Sequence, residues 1–71
     1  MLTTKQIVKY LLGNPHKNIE FLNMKNTNIH VFKGVEGELL QGEIGDGAIC
    51  NFIPDKFIND MWIIGFNPYR K

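Results

Sequence analysis

Apolar residues near the start of the chain recur at helical spacing: Ile7, Val8, Leu11 and Leu12 make one stripe, while Lys5 and Lys9 line an outer face. Thr3 followed by Gln6 has the spacing of a capping box, in which the hydroxyl accepts the third helical N–H and the Gln side chain returns to the cap's own N–H. Leu2 and Ile7 stand where a hydrophobic staple would close over that turn. The pattern predicts a helix over 4–12, ended by Gly13 as a left-handed residue and by Asn14-Pro15.

After Pro15 the period shortens. Runs at 19–24, 29–33, 39–44 and 48–53 read as strands, separated by Lys25-Asn26-Thr27-Asn28, Glu36-Gly37 and Gly45-Asp46-Gly47. The first turn relies on asparagines that tolerate positive φ, and the last is the most typical hairpin sequence of the three. Clean alternation in Ile29–Lys33 sends Ile29 and Val31 to one face, with His30 and Phe32 on the other. Residues 54–59 form a single helical turn, residues 62–66 a closing strand, and residues 67–71 a tail that Pro68 keeps out of the ladder. The fold class is α+β: one domain over 1–71, with an N-terminal helix packed on a small antiparallel meander sheet of about four or five strands and a short helical turn before the last strand. A single helix covers one sheet face only. Phe32, Leu40, Phe52 and Trp62 are then expected on the other face, and a contiguous apolar patch of that kind points to a homo-oligomer.

Size sharpens this expectation. A chain of 71 residues buries only ~60% of its unfolded surface, and such a core rarely supplies more than ~3–5 kcal/mol. Cys50, the single cysteine, excludes an intramolecular disulfide, and no Cys/His cluster supports a zinc site, so self-association is the leading staple and no cofactor is expected. No run is long and apolar enough to span a membrane, and the expected location is cytoplasmic. Charge is segregated along the chain: residues 1–33 carry a net +4, residues 34–60 a net −5, and the tail +2, which gives +1 overall. That balance, with a pI of about 7.9, argues against extended nucleic-acid binding.

Few residues are candidates for chemistry. The chain has no serine, and Cys50 lies in an apolar run where a thiol is ordinarily buried and inert. Gly45-Asp46-Gly47 lacks the Lys-Ser/Thr of a phosphate loop and the further oxygen ligands of a calcium loop. No nucleophile–base pair assembles, so an enzyme is not expected. His16 reads as a loop residue, whereas His30 sits mid-strand where an imidazole reaches a phosphate or a base edge. Asn23 and Asn51 fall inside strands, where their amides suit a polar ligand. Asp60 stands close to Trp62, which offers a stacking face.

A helix reading Thr-Thr-Lys-Gln-Ile-Val-Lys-Tyr-Leu-Leu-Gly, a small antiparallel sheet, and then Pro-Asp-Lys-Phe-Ile-Asn-Asp-Met-Trp-Ile-Ile resembles a family of small phage proteins. That family includes the second Thoeris anti-defence family, which sequesters cyclic ADP-ribose-type immune signals, and some inhibitors of type II CRISPR nucleases. The family's central Arg-x-Gly-Trp segment is replaced here by Glu20 to Met24, and Met61 separates the acid from the tryptophan, so only Asp60 and Trp62 carry over by position. The resemblance implies a protein of the infected host cytoplasm that binds a small anionic nucleotide stoichiometrically as a homo-oligomer. Lys25, Asn28, His30 and Arg70 are then the expected anion and polar contacts, and Trp62 the stacking face. Two alternatives are an inhibitor that occludes a host defence protein through the acidic segment Glu36–Asp60, and a structural or accessory domain without a ligand.

Overall fold

A computed structural model of the chain describes residues 1–15 and 18–67. The elements are β1 (Leu2–Thr3), α1 (Thr4–Gly13), β2 (Ile19–Asn23), β3 (Ile29–Lys33), β4 (Leu39–Glu43), β5 (Ile49–Asn51), a 3-10 turn at Pro54–Phe57, and β6 (Met61–Phe66). Helix α1 opens on the expected capping box: Gln6 N–H donates to Thr3 Oγ1 at 3.2 Å, and Thr3 N–H donates to Gln6 Oε1 at 2.8 Å. Its buried residues are Thr4, Ile7 and Leu11. Leu12, expected in the same stripe, is 58% exposed because the sheet lies under the Ile7–Leu11 side. Gly13 belongs to the helix and has no left-handed φ; the chain leaves through Asn14 in an extended conformation, which suits a residue before proline.

The sheet is α+β as expected, but it has six strands in the order β1-β6-β2-β3-β4-β5, all paired antiparallel. The meander holds from β2 to β5. Strand β6 departs from it by inserting between β1 and β2, with Asn23 opposite Trp62 on one side and Leu2 opposite Trp62 on the other. Two residues of β1 are too short to show a period, so this edge has no signature in the sequence.

The turns use different devices. Gly37, Gly45 and Gly47 take positive φ, which glycine adopts without strain, at the β3–β4 and β4–β5 connections. At the β2–β3 turn no asparagine does so. There Asn23 Oδ1 accepts the N–H groups of Lys25 and Asn26, and Asn26 Oδ1 accepts that of Asn28, so the amides replace backbone partners without left-handed geometry.

Register assigns the faces. Phe21 lies opposite Val31 and Ile64, and Val31 opposite Gln41, so these residues share the helix side with Trp62. The core is Ile7, Leu11, Phe21, Val31, Phe52 and Trp62. Phe52 and Trp62 are therefore core residues and not part of the uncovered face. The segment after β5 crosses the sheet on the helix side to reach β6, and there Phe52, Phe57 and Trp62 meet with ring centroids 5.6–5.7 Å apart. Glu20, Leu22, His30, Phe32, Leu40, Gly42 and Ile63 pair on the face that α1 leaves uncovered. Among the described residues no helix is long and apolar enough to cross a membrane.

Candidate functional site

The residues singled out from the sequence separate into three places. Trp62 is fully buried, and its Nε1–H donates to Thr4 Oγ1 at 2.8 Å. The Thr4 hydroxyl in turn donates to the Phe57 carbonyl. With both Phe rings also against it, the indole has no face left for a ligand, which corrects the stacking role expected of it. An indole that fills a small core and has its N–H satisfied is a packing anchor.

Asp60 and Lys25 come together at the β2–β3 turn, with Lys25 Nζ 3.0 Å from Asp60 Oδ1. Asn23 Nδ2 donates to the other carboxylate oxygen at 2.9 Å. The Asn23 hydrogen bond first, and Lys25 second, hold the Asp60 carboxyl below its ordinary value. Asn23 is itself buried and its Oδ1 is taken by two turn N–H groups, so its amide organises the turn and is not presented to a ligand. Asn28 lies exposed in the same turn, where its carbonyl accepts the Ile44 N–H at 2.7 Å. Lys25 and Asn28 are thus neighbours in the turn, while His30 lies along β3. Arg70 and His16 are outside the described residues.

His30 sits in the uncovered face. Its Nδ1 lies 3.0 Å from Glu20 Oε2, with only 16% and 13% of the two side chains exposed. The strands bring these residues together diagonally: Leu22 is directly opposite His30, and Glu20 is opposite Phe32. The imidazole also lies 5.2 Å from the Phe32 ring, centroid to centroid. Gly42, directly opposite His30 on β4, makes the arrangement possible. A Cβ on Gly42 would stand 2.5 Å from His30 Nε2, so the absence of a side chain lets the ring lie down against the sheet. Around the pair, Leu22, Leu40 and Ile63 are half-buried. The result is a polar pair set flush in an apolar surface. Sequence reasoning found His30 and missed Glu20 and Gly42. The register that joins them depends on the length of the β2–β3 turn and on pairing with β4, neither of which a single strand pattern states.

The acidic segment does not form one stripe. Glu36 and Glu38 lie at the β3–β4 turn, Glu43 and Asp46 at the β4–β5 turn, and β4 runs between them. Asp60 is engaged by Lys25. Cys50, expected to be buried, is exposed, because β5 is an edge strand whose three residues are all exposed. No group of three or more His, Cys, Asp or Glu side chains is placed to hold a metal ion among the described residues. Surface hollows lie away from His30: one beside β5 is lined by Gln41, Cys50, Asn51, Ile53, Lys56 and Phe57, and another between α1 and the 3-10 turn includes Lys5, Lys9 and Asp55. No protein-family model, curated protein or solved structure matches this chain.

Proposed function

We propose that this protein is a non-catalytic binding protein that sequesters a small nucleotide-type ligand as a homo-oligomer, in the anti-defence role implied by its resemblance to small phage proteins. The observation that carries the reading is the half-buried His30–Glu20 pair within the apolar surface of the uncovered sheet face. Ligand sites characteristically combine mostly apolar lining with a few convergent polar groups. Leu22, Leu40 and Ile63 offer flat aliphatic surface to a base, and the imidazole, with Nδ1 on Glu20, offers Nε2 for a hydrogen bond to a phosphate or base edge. Sequestration needs no turnover. It needs abundance and an affinity tighter than that of the receptor it competes with.

A thermal-shift panel of cyclic dinucleotides and cyclic ADP-ribose isomers tests this. A ligand that binds the native state at a hundred times its Kd stabilises by about 2.7 kcal/mol, which is about 10–20 °C for a domain of this size. The expected result is a clear shift with at least one member. His30→Ala should then weaken binding about tenfold or more, the scale of a lost charge-assisted hydrogen bond, while leaving the fold intact. A panel without any shift would reject the sequestration reading.

A further inference from the structure

We infer that β5 is a docking edge for a second copy of this chain, joining two six-stranded sheets into one continuous antiparallel sheet about a two-fold axis at Cys50. The inference rests on the homo-oligomer reading above and gives it a surface.

Backbone hydrogen bonding sets the register. Phe52 N–H donates to Leu39 O, and the pairing continues as Leu40 with Asn51, Gln41 with Cys50 and Gly42 with Ile49. Antiparallel pairs alternate between hydrogen-bonded and non-hydrogen-bonded, so Cys50 turns its N–H and C=O inward to β4, and Ile49 and Asn51 turn theirs outward. β5 ends the strand order, and all three of its residues are exposed. Proteins ordinarily blunt such an edge by keeping it very short, or with lysine, proline, a bulge or a cover, and at three residues β5 has only the first of these. Ile-Cys-Asn carries neither charge nor proline. The opposite edge, β1, is shorter by one residue and runs straight into α1, which leaves it no free continuation.

The edge is self-complementary. Centring the two-fold on Cys50 pairs Ile49 with Asn51 of the second copy and Asn51 with Ile49 of the second copy, which satisfies four outward N–H groups and four outward C=O groups with four hydrogen bonds between copies and the remaining lone pairs in solvent. Each cysteine then faces its counterpart in a non-hydrogen-bonded pair, with Cα atoms about 4.5 Å apart. Charge favours the same orientation. The end of β5 at Ile49 is flanked by the acidic turn with Glu43 and Asp46, and the end at Asn51 by Lys56, which lines the hollow beside Cys50 and Asn51. Asp55, next in sequence to Lys56, turns to the other hollow, with Lys5 and Lys9 of α1. Antiparallel docking sets the acidic turn of each copy beside Lys56 of the other, and a closed two-fold contact uses the same patch on both. The two uncovered faces would then lie on one side of the joined sheet, with the two His30 residues, five strand spacings of about 4.8 Å apart, about 24 Å from each other across the sheet.

Molar mass by light scattering in reducing buffer, over a hundredfold range of protein concentration, tests the contact. Wild type and Cys50→Ser should associate to dimers. Cys50→Lys places like charges directly opposite and should raise the dimer Kd about tenfold or more. Ile49→Pro removes an outward N–H without touching the ladder to β4 and should do the same, and circular dichroism checks that both variants remain folded. Diamide, which takes up the two electrons and two protons released when two thiols become a disulfide, should convert wild-type dimer to a Cys50–Cys50 linked species. A cross-strand pair meets the Cα spacing that a disulfide needs. A monomeric wild type, or a dimer that survives Cys50→Lys but is lost in Leu40→Glu on the uncovered face, would overturn the inference. Neither measurement uses a nucleotide, so a failed ligand panel and a failed edge contact are told apart.

Discussion

Thr4 links three parts of the chain through one hydroxyl. It receives the Trp62 indole N–H and donates to the Phe57 carbonyl from the first turn of α1, and it is 1% exposed. Thr4→Val keeps the shape and strands the Trp62 indole N–H in the core, where an unsatisfied group costs about 1–3 kcal/mol, while the Phe57 carbonyl keeps the Asp60 N–H at 2.9 Å. Urea denaturation should show a loss in that range, and a midpoint equal to wild type would mean that the indole N–H finds another partner. The Asp60 cluster responds to pH in a direction fixed by its carboxyl. Its folded-state value lies below the ordinary 3.8, first through Asn23 and then through Lys25. A group depressed by folding stabilises fully above its unfolded value, and that contribution is lost as pH falls through the folded one. Stability measured from neutral pH downward should therefore fall for wild type in the acid range below 3.8, with Asp60→Asn showing a shallower fall because it has no carboxyl to titrate there. Parallel curves for the two proteins would show that the turn does not depend on this charge.

At the scale of elements, Gly13 and Gly45 make opposite predictions from the same residue type. Gly13 ends α1 without a left-handed φ, and nothing lies within 4 Å of where its Cβ would stand. Gly13→Ala should stabilise by about 0.4–1 kcal/mol, mostly by restricting the unfolded chain. Gly45 has a φ of 95°, so Gly45→Ala should destabilise by more than that gain. Thermal melts of the two variants give the signs directly. The contrast also shows what a linear pattern can carry. The capping box, the strand at Ile29–Lys33 and the 3-10 turn opening at Pro54 were legible because each is written in neighbouring residues. Gly13 needs no left-handed φ because Pro15 already ends the helix by disfavouring helical backbone before it. Trp62 and Phe52 join the core because the segment after β5 crosses on the helix side, which a linear pattern does not state, and Cys50 is exposed because β5 is an edge strand, whereas an apolar run looks alike at the centre and at the edge of a sheet. Of the candidate site, His30 was legible by alternation; Glu20 and Gly42 depended on pairing between strands.

For the whole molecule the question is where 71 residues find enough stability. The described residues bury seven apolar side chains, six clustered beneath one ten-residue helix and Phe32, expected in an exposed patch, buried on the opposite face, and the single cysteine leaves no internal crosslink. A domain this small lies near the lower bound for an unaided core. Edge docking at β5 would add stability that depends on concentration, because a native state that associates is favoured by mass action over an unfolded chain that does not. A hundredfold rise in protein concentration well above the dimer Kd should therefore raise the melting temperature by several degrees, given about 4–8 °C per kcal/mol for domains of 60–100 residues. Cys50→Lys, at an exposed edge position, should melt lower than wild type at each concentration where wild type is dimeric, and close to wild type at high dilution. The two curves separate intrinsic from associative stability: their convergence at low concentration measures the monomer, and their divergence measures the edge. A wild-type melting temperature unchanged across that range would place the stability of this fold in its single-chain packing and leave β5 as an unpaired edge.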